Sequence, residues 1–236
     1  MKILAFDSTA RSASVAVLDG ERLLGGYDID NGFTHSELLL PMAESLLNSL
    51  GIDVSEIELF AVTVGPGSFT GVRIGAALVK GLAFGKEIPC VEVSSLEALA
   101  ENMRGAVGYV LPCIDARRGQ VYTATFSGNG EELKRLTEDR VMPLPELAHE
   151  LSDLTADVYV VGDAYVSAHK ALLREGVKVK STPELCKKGS AASIGRVAYR
   201  KFLMGETVCD RELSPKYLRM PQAERERLER LNKSEE

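Results

Sequence analysis

Gly65-Pro66-Gly67-Ser68-Phe69-Thr70-Gly71-Val72-Arg73-Ile74-Gly75 is the stretch on which the reading of the fold turns. An apolar run, Leu59 to Val64, precedes it and reads as a buried strand. A helix-like segment with small residues at Gly71, Gly75 and Gly81 follows, reaching about Phe84. Strand, glycine-rich turn and helix is the order that aims backbone N–H groups at an anion. The string is not a P-loop, because no Lys-Ser or Lys-Thr follows the last glycine at the required spacing. It is not a dinucleotide fingerprint either, because Pro66 and Phe69 break that register. A second reading is packing. Gly67, Gly71 and Gly75 recur every four residues, so on a helix they form a flat stripe that another backbone can approach. Each glycine costs a helix roughly 1 kcal/mol against alanine. Three at this spacing imply a close approach that offsets the cost.

Outward from this stretch, the chain reads as two successive units of similar pattern. Residues 2–7, 12–18 and 22–28 read as strands, and Asp19-Gly20 between the last two is a hairpin signal. The helix expected from His35 to the stop at Gly51 places Leu39, Met42, Ala43, Leu46, Leu47 and Leu50 on one face. Leu38 and Leu40 fall off that face, so the apolar surface is wider than one sheet requires. Deep burial and a second face for a partner both account for it. Pro41 predicts a kink or a later start. A strand at 88–93 and a helix from Ser94 to about Met103 complete the first unit. The pattern restarts near residue 105. It gives strands at 107–114 and 120–127, a turn at Gly128-Asn129-Gly130, and a helix at 144–151. A strand at 158–161, a helix at 164–175, a strand at 177–180 and a helix at 190–204 follow. The expected domains are therefore 1–104 and 105–213. Residues 214–236 form a tail whose charged end, Pro221 to Glu236, reads as a solvated helix or frayed end.

The 236 residues carry a net charge of −6 and are 45% hydrophobic. An acidic chain is poorly equipped to hold nucleic acid alone, since phosphate contacts supply most of that affinity. No run approaches the roughly 20 apolar residues of a membrane span. The apolar core of Met1 to Asp7 is too short for a signal peptide. Cys90, Cys113, Cys186 and Cys209 form no CxxC pair, and reduced structural thiols in a cytoplasmic protein are expected. His35, His149 and His169 share no metal-binding spacing, so no metal site is expected. His35 reads as a capping or interface residue. Asp7-Ser8-Thr9 could orient a metal-bound water or meet a phosphate, or serve only turn chemistry. Asp115, Arg117 and Arg118 read either as a solvated hairpin tip or as a contact for an anion or a partner carboxylate.

Four stretches carry a family resemblance. Ile3 through Thr9 resembles the first phosphate loop of the actin-like ATPase and sugar-kinase superfamily. Gly65 through Gly75 resembles the signature of the TsaB family of tRNA threonylcarbamoyladenosine synthesis. Asp115 through Tyr122 is similar to that family's second-half motif, and Ser214-Pro215-Lys216-Tyr217-Leu218-Arg219 to its C-terminal one. The resemblance implies an α/β fold of two tandem ribonuclease-H-like subdomains, with mixed sheets flanked by helices. It implies a non-catalytic scaffold that activates a TsaD-like paralogue, with a TsaE-like ATPase as third component and tRNA held indirectly. Cytoplasmic location and a homodimer of the lone chain also fit. Asp7, Ser8 and Thr9 would be a vestigial phosphate loop. Nucleotide would not bind tightly to the chain alone, and ATP or ADP would sit at the complex interface. The partner would meet His35, Leu39, Met42, Leu46, Gly67, Gly71, Arg73 and Gly75. On that expectation a Gly75→Val variant folds but binds the partner at least tenfold more weakly. The superfamily's second phosphate loop is replaced by Asp115-Ala116-Arg117-Arg118, and the paralogue's His-x-x-x-His pair is absent. Gly162-Asp163 is at most a remnant of an adenosine loop. The rival readings are an ATP-using kinase or ATPase built on Asp7, and a peptidase.

Overall fold

The computed structural model describes residues 1–219, so the charged stretch from Pro221 onward lies outside the described residues. The first sheet is built from β1 (Lys2–Asp7), β2 (Ala13–Asp19), β3 (Arg22–Ile29), β4 (Leu59–Gly65) and β5 (Cys90–Ser94), in the order β3-β2-β1-β4-β5. β1 runs antiparallel to β2 and parallel to β4. The second sheet repeats the order. β6 (Val107–Asp115) is central, flanked by β7 (Gln120–Thr123) and β10 (Arg140–Pro143) on one side. β11 (Val158–Val161) and β12 (Val179–Lys180) lie on the other, giving β10-β7-β6-β11-β12. β8 (Phe126–Asn129) also pairs with β6 and carries β9 (Leu133–Arg135).

The near-continuous apolar runs of β1 and β4 follow from burial on both faces. Alternate residues go to opposite layers. Leu4, Phe6, Phe60 and Val62 join one core with Leu39, Met42, Leu46 and Leu47 of α1 (His35–Leu50) and Val79 of α2 (Phe69–Ala83). Ile3, Ala5, Leu59 and Ala61 join another with Ile194 and Val197 of α6 (Ala191–Leu203). α3 (Ser95–Glu101) turns away from the first sheet, placing Leu96 and Leu99 against Val110, Tyr122 and Phe126 of the second. α4 (Leu144–Glu150) and α5 (Tyr165–Arg174) cover that sheet's far face. The two lobes therefore exchange helices. α3 precedes the second sheet and packs on it, and α6 follows the second sheet and packs on the first.

Three local expectations are corrected. The single strand expected over 120–127 is broken at Ala124-Thr125. The Thr125 N–H is taken by Thr137 Oγ1 and its carbonyl by Leu136 N–H, which bends β8 toward the other end of β6. β9 and β10, absent from the sequence reading, are the short strands this bend creates room for, and Gly128-Asn129 belong to β8 rather than to the turn. Pro41 neither kinks nor delays α1, which runs unbroken from His35. Pro41 and Glu37 are both exposed, so the carbonyl left without an amide faces water.

Candidate functional site between the lobes

β1 and β4 are parallel neighbours, so their C-terminal ends bring loop 7–12 beside the Gly65–Ser68 turn. This joins the two sequence motifs. Ser68 N-caps α2, accepting from Gly71 N–H at 3.2 Å, while its own N–H donates to Thr9 O at 3.0 Å. Ser8 Oγ donates to Gly71 O at 2.8 Å. A Cβ at Gly71 would stand 1.8 Å from Ser8 O, one at Gly75 2.5 Å from Ser8 Oγ, and one at Gly67 2.7 Å from Thr9 O. The stripe is thus a close backbone approach, but the approaching backbone is the chain's own first loop. Gly67, Gly71 and Gly75 offer no open face to a partner, and bulk at Gly75 falls inward. The expectation that Gly75→Val folds normally is overturned. Leu39, Met42 and Leu46 are likewise spent on the chain's own core. What α1 leaves outside is Leu40, 41% exposed, with Leu38 half-buried. His35 opens α1, and its Nε2 has no hydrogen-bond partner among the described residues.

Asp7 is 3% exposed, and one of its two oxygens is engaged. Its Oδ1 accepts from Thr9 N–H at 3.0 Å, Thr9 Oγ1 at 2.7 Å and Thr63 Oγ1 at 2.8 Å. Ser95 Oγ at the start of α3 reaches Thr9 Oγ1 at 3.2 Å. On the other side, Gly189 lies so close that a Cβ there would be 2.3 Å from Asp7 Oδ2. Turn chemistry occupies Oδ1 of this carboxylate, while the side chain also borders a cleft between the lobes. Thr63 and Gly189 were not legible as site residues. Gly189 reaches Asp7 only because α6 crosses to the first sheet.

The motif at 214–219 is a strap across these parts. Lys216 N–H donates to Val64 O at 2.8 Å and Ser214 N–H to Glu92 Oε1 at 2.8 Å. Tyr217 stacks on Phe69 with ring centres 4.9 Å apart, and its hydroxyl accepts from Arg73 Nε at 2.7 Å. Arg219 Nη1 donates to Ala116 O at 2.5 Å, tying the first sheet to the β6–β7 turn of the second. In that turn Arg117 N–H donates to Asp115 Oδ1, and Asp115 N–H to Asp163 Oδ1, each at 2.8 Å. Two of the clefts between the lobes border these motifs. One, of about 270 Å³, has Asp7, Ser95, Lys187 and Gly189 in its wall. The other, of about 680 Å³, is bounded by Gly67, Phe69, Arg117, Arg118, Tyr122 and Arg219. Among the described residues no group of three potential metal ligands occurs.

The family model for TsaD, tRNA N6-adenosine threonylcarbamoyltransferase, matches residues 33–226. The tRNA threonylcarbamoyladenosine biosynthesis protein TsaB of Bacillus subtilis (strain 168) is 33% identical, over 95% of this chain and 96% of its own length. The chain belongs to the TsaB family. A solved structure, YeaZ from Pseudomonas aeruginosa, superposes with a TM-score of 0.76 at 28% identity, covering 92% of this chain and 99% of that one. The ROK hexokinase of Thermus thermophilus shares the fold alone, with a TM-score of 0.52 at 13% identity over 87% of this chain and all (100%) of that one. The α/β fold of paired sheets flanked by helices is thus that of the TsaB family and of the sugar kinases alike.

Proposed function

We propose that the chain is a non-catalytic subunit in tRNA threonylcarbamoyladenosine synthesis, supporting a TsaD-like paralogue that transfers the threonylcarbamoyl group. The observation that carries this reading is the state of Asp7. A kinase or ATPase of this fold needs that carboxylate free to position a metal or water. Here one oxygen accepts three hydrogen bonds and the other is covered by Gly189. Two further features support the same reading. The β6–β7 turn carries arginine side chains where a phosphate loop needs glycine for close backbone approach. No serine elbow or histidine pair supports a peptidase.

The partner-facing surface is the outer side of α1 and α2. Leu40, Pro41, Ala77 and Gly81 are exposed there, beside half-buried Leu38, Ile74 and Leu78. Small residues at Ala77 and Gly81 allow helices to approach closely. The same face serves a homodimer when the partner is absent. A TsaE-like ATPase completes the assembly, ATP or ADP sits at the complex interface rather than in this chain, and the protein works in the cytoplasm. No helix among the described residues is long and apolar enough to cross a membrane.

The test is reconstitution. The purified chain alone is expected to form no threonylcarbamoyladenosine and to hydrolyse ATP negligibly, while the TsaD-like paralogue modifies tRNA efficiently only when the chain is added. Steady ATP turnover by the lone chain that disappears in Asp7→Asn would overturn the reading in favour of an ATPase.

A further inference from the structure

The larger cleft holds positive charge that the scaffold role does not use. Arg117 is 88% exposed at its side chain, and among the described residues its only ion pair is a 3.7 Å approach to Asp115. Arg118 is exposed and makes no ion pair among the described residues. Arg219 is pinned beside both by its bond to Ala116 O. Asp115 and Asp163 also line the cleft, each accepting one backbone N–H, but with Arg11 its arginines outnumber these carboxylates four to two. Across the cleft, α2 begins at Phe69 with no acidic residue in its first turn, so nothing offsets the partial positive charge of that end. Arg117 and Arg118 also hold φ values of 65° and 55°, a left-handed backbone that side-chain-bearing residues seldom adopt. In a chain of net charge −6, these cations stand against the average.

The exposure of these guanidinium groups selects the kind of anion. A free nucleotide with its magnesium ion needs an available carboxylate, and Asp7 is outside this cleft with one oxygen already accepting three hydrogen bonds. Exposed, solvated cations hold a small anion weakly. They contribute strongly to a polyanion, where each contact releases condensed counterions. At the cleft's rim, Tyr217 is 42% exposed and stacked on Phe69. Arginines beside aromatic rings are the composition that unpaired RNA segments meet. We propose that this cleft is an RNA contact surface, with Arg117 and Arg118 binding backbone phosphates of the tRNA that the assembly modifies. The proposal rests on the subunit reading above.

The test uses the assembled complex of this chain with its TsaD-like paralogue and fluorescently labelled tRNA, titrated between about 50 and 200 mM salt. Asparagine tolerates the left-handed backbone of the turn, so the Arg117→Asn/Arg118→Asn variant removes charge without straining it further. It is expected to bind tRNA about tenfold or more weakly and to flatten the slope of log affinity against log salt by about one to two. The Arg117→Lys/Arg118→Lys variant should keep the parental slope. Unchanged affinity and slope in the asparagine variant overturn the proposal. So does loss of ADP binding by calorimetry with an unchanged tRNA slope, which would assign the cluster to a nucleotide. Assembly of the parent complex and its modification of tRNA report separately on the subunit reading. Should the parent fail to assemble, the same titration of the lone chain at the low-salt end decides the proposal.

Discussion

At the residue scale, the glycines of α2 are not equivalent, and their neighbours say how each will respond to substitution. A Cβ at Gly71 would stand 1.8 Å from Ser8 O, and neither backbone can yield without moving α2 off the Asp7 loop. Gly71→Ala is expected to destabilise the protein by about 3 kcal/mol, at the upper end for overpacking. At Gly81 a Cβ meets nothing within 4 Å, so Gly81→Ala should stabilise by about 0.5–1 kcal/mol through helix propensity and lost unfolded-state entropy. Urea denaturation of the two variants checks the pair, and a neutral Gly71→Ala would sink the close-approach account. The cysteines divide in the same way. Burial pushes the Cys113 thiol up to about 12, the Thr123 hydroxyl only partly offsetting it. Burial, with Asp210 nearby, pushes Cys90 up to about 11. Cys209 is exposed and Cys186 half-buried. In native protein at mild alkaline pH, alkylation should therefore label Cys209 first and leave Cys90 and Cys113 unlabelled until denaturant is added. Peptide mass mapping reads the order.

At the element scale, the question is which side of each helix is free. The wide apolar surface of α1 was legible in the sequence, but its division between core and exterior was not, because a helical wheel gives angles without saying where the sheet lies. Leu39, Met42 and Leu46 turned out to face the sheet where α1 lies over β2 and β3. The outer side of α2 carries Ala77 and Gly81 instead of Gly71 and Gly75. Ala77→Glu therefore places a charge where the partner helix is proposed to dock and touches nothing in the chain's own core. The variant should keep the parental circular dichroism and melting temperature, yet bind the TsaD-like paralogue at least tenfold more weakly, a loss of about 1.4 kcal/mol. Calorimetry that finds parental affinity would remove α2 from the interface.

At the scale of the whole molecule, exchanged helices bind the lobes into one folding unit. Residues 1–104 contain the entire first sheet but not α6, whose Ile194 and Val197 cover Ile3, Ala5, Leu18 and Val91. Expressed alone, that fragment should be insoluble or should melt without a cooperative transition, because one face of its sheet meets water. Residues 1–219 should melt in a single step. A cooperatively folded 1–104 fragment would show that α6 is dispensable to the first lobe.

The sequence by itself determined most of the strands, most helix ends and the repeat of pattern near residue 105. These are set by alternation, by Gly51 as a helix stop, and by Ser94, which caps α3 through Leu96 and Glu97 N–H. Such signals are local, and each is complete within a few residues. The string from Gly65 to Gly75 also announced that something comes close to α2. Only the tertiary structure decided what comes close, which is Ser8 and Thr9 of the same chain. It also decided that Asp7 Oδ1 is held by Thr9 and Thr63 with Gly189 close to Oδ2, and that Arg117, Arg118 and Arg219 share one cleft. Those partners are separated by as much as 182 positions, Asp7 to Gly189, and helix exchange between the sheets brings them together. No local periodicity encodes that distance, because the physical cause is the packing of α6, which follows the second sheet, on the first.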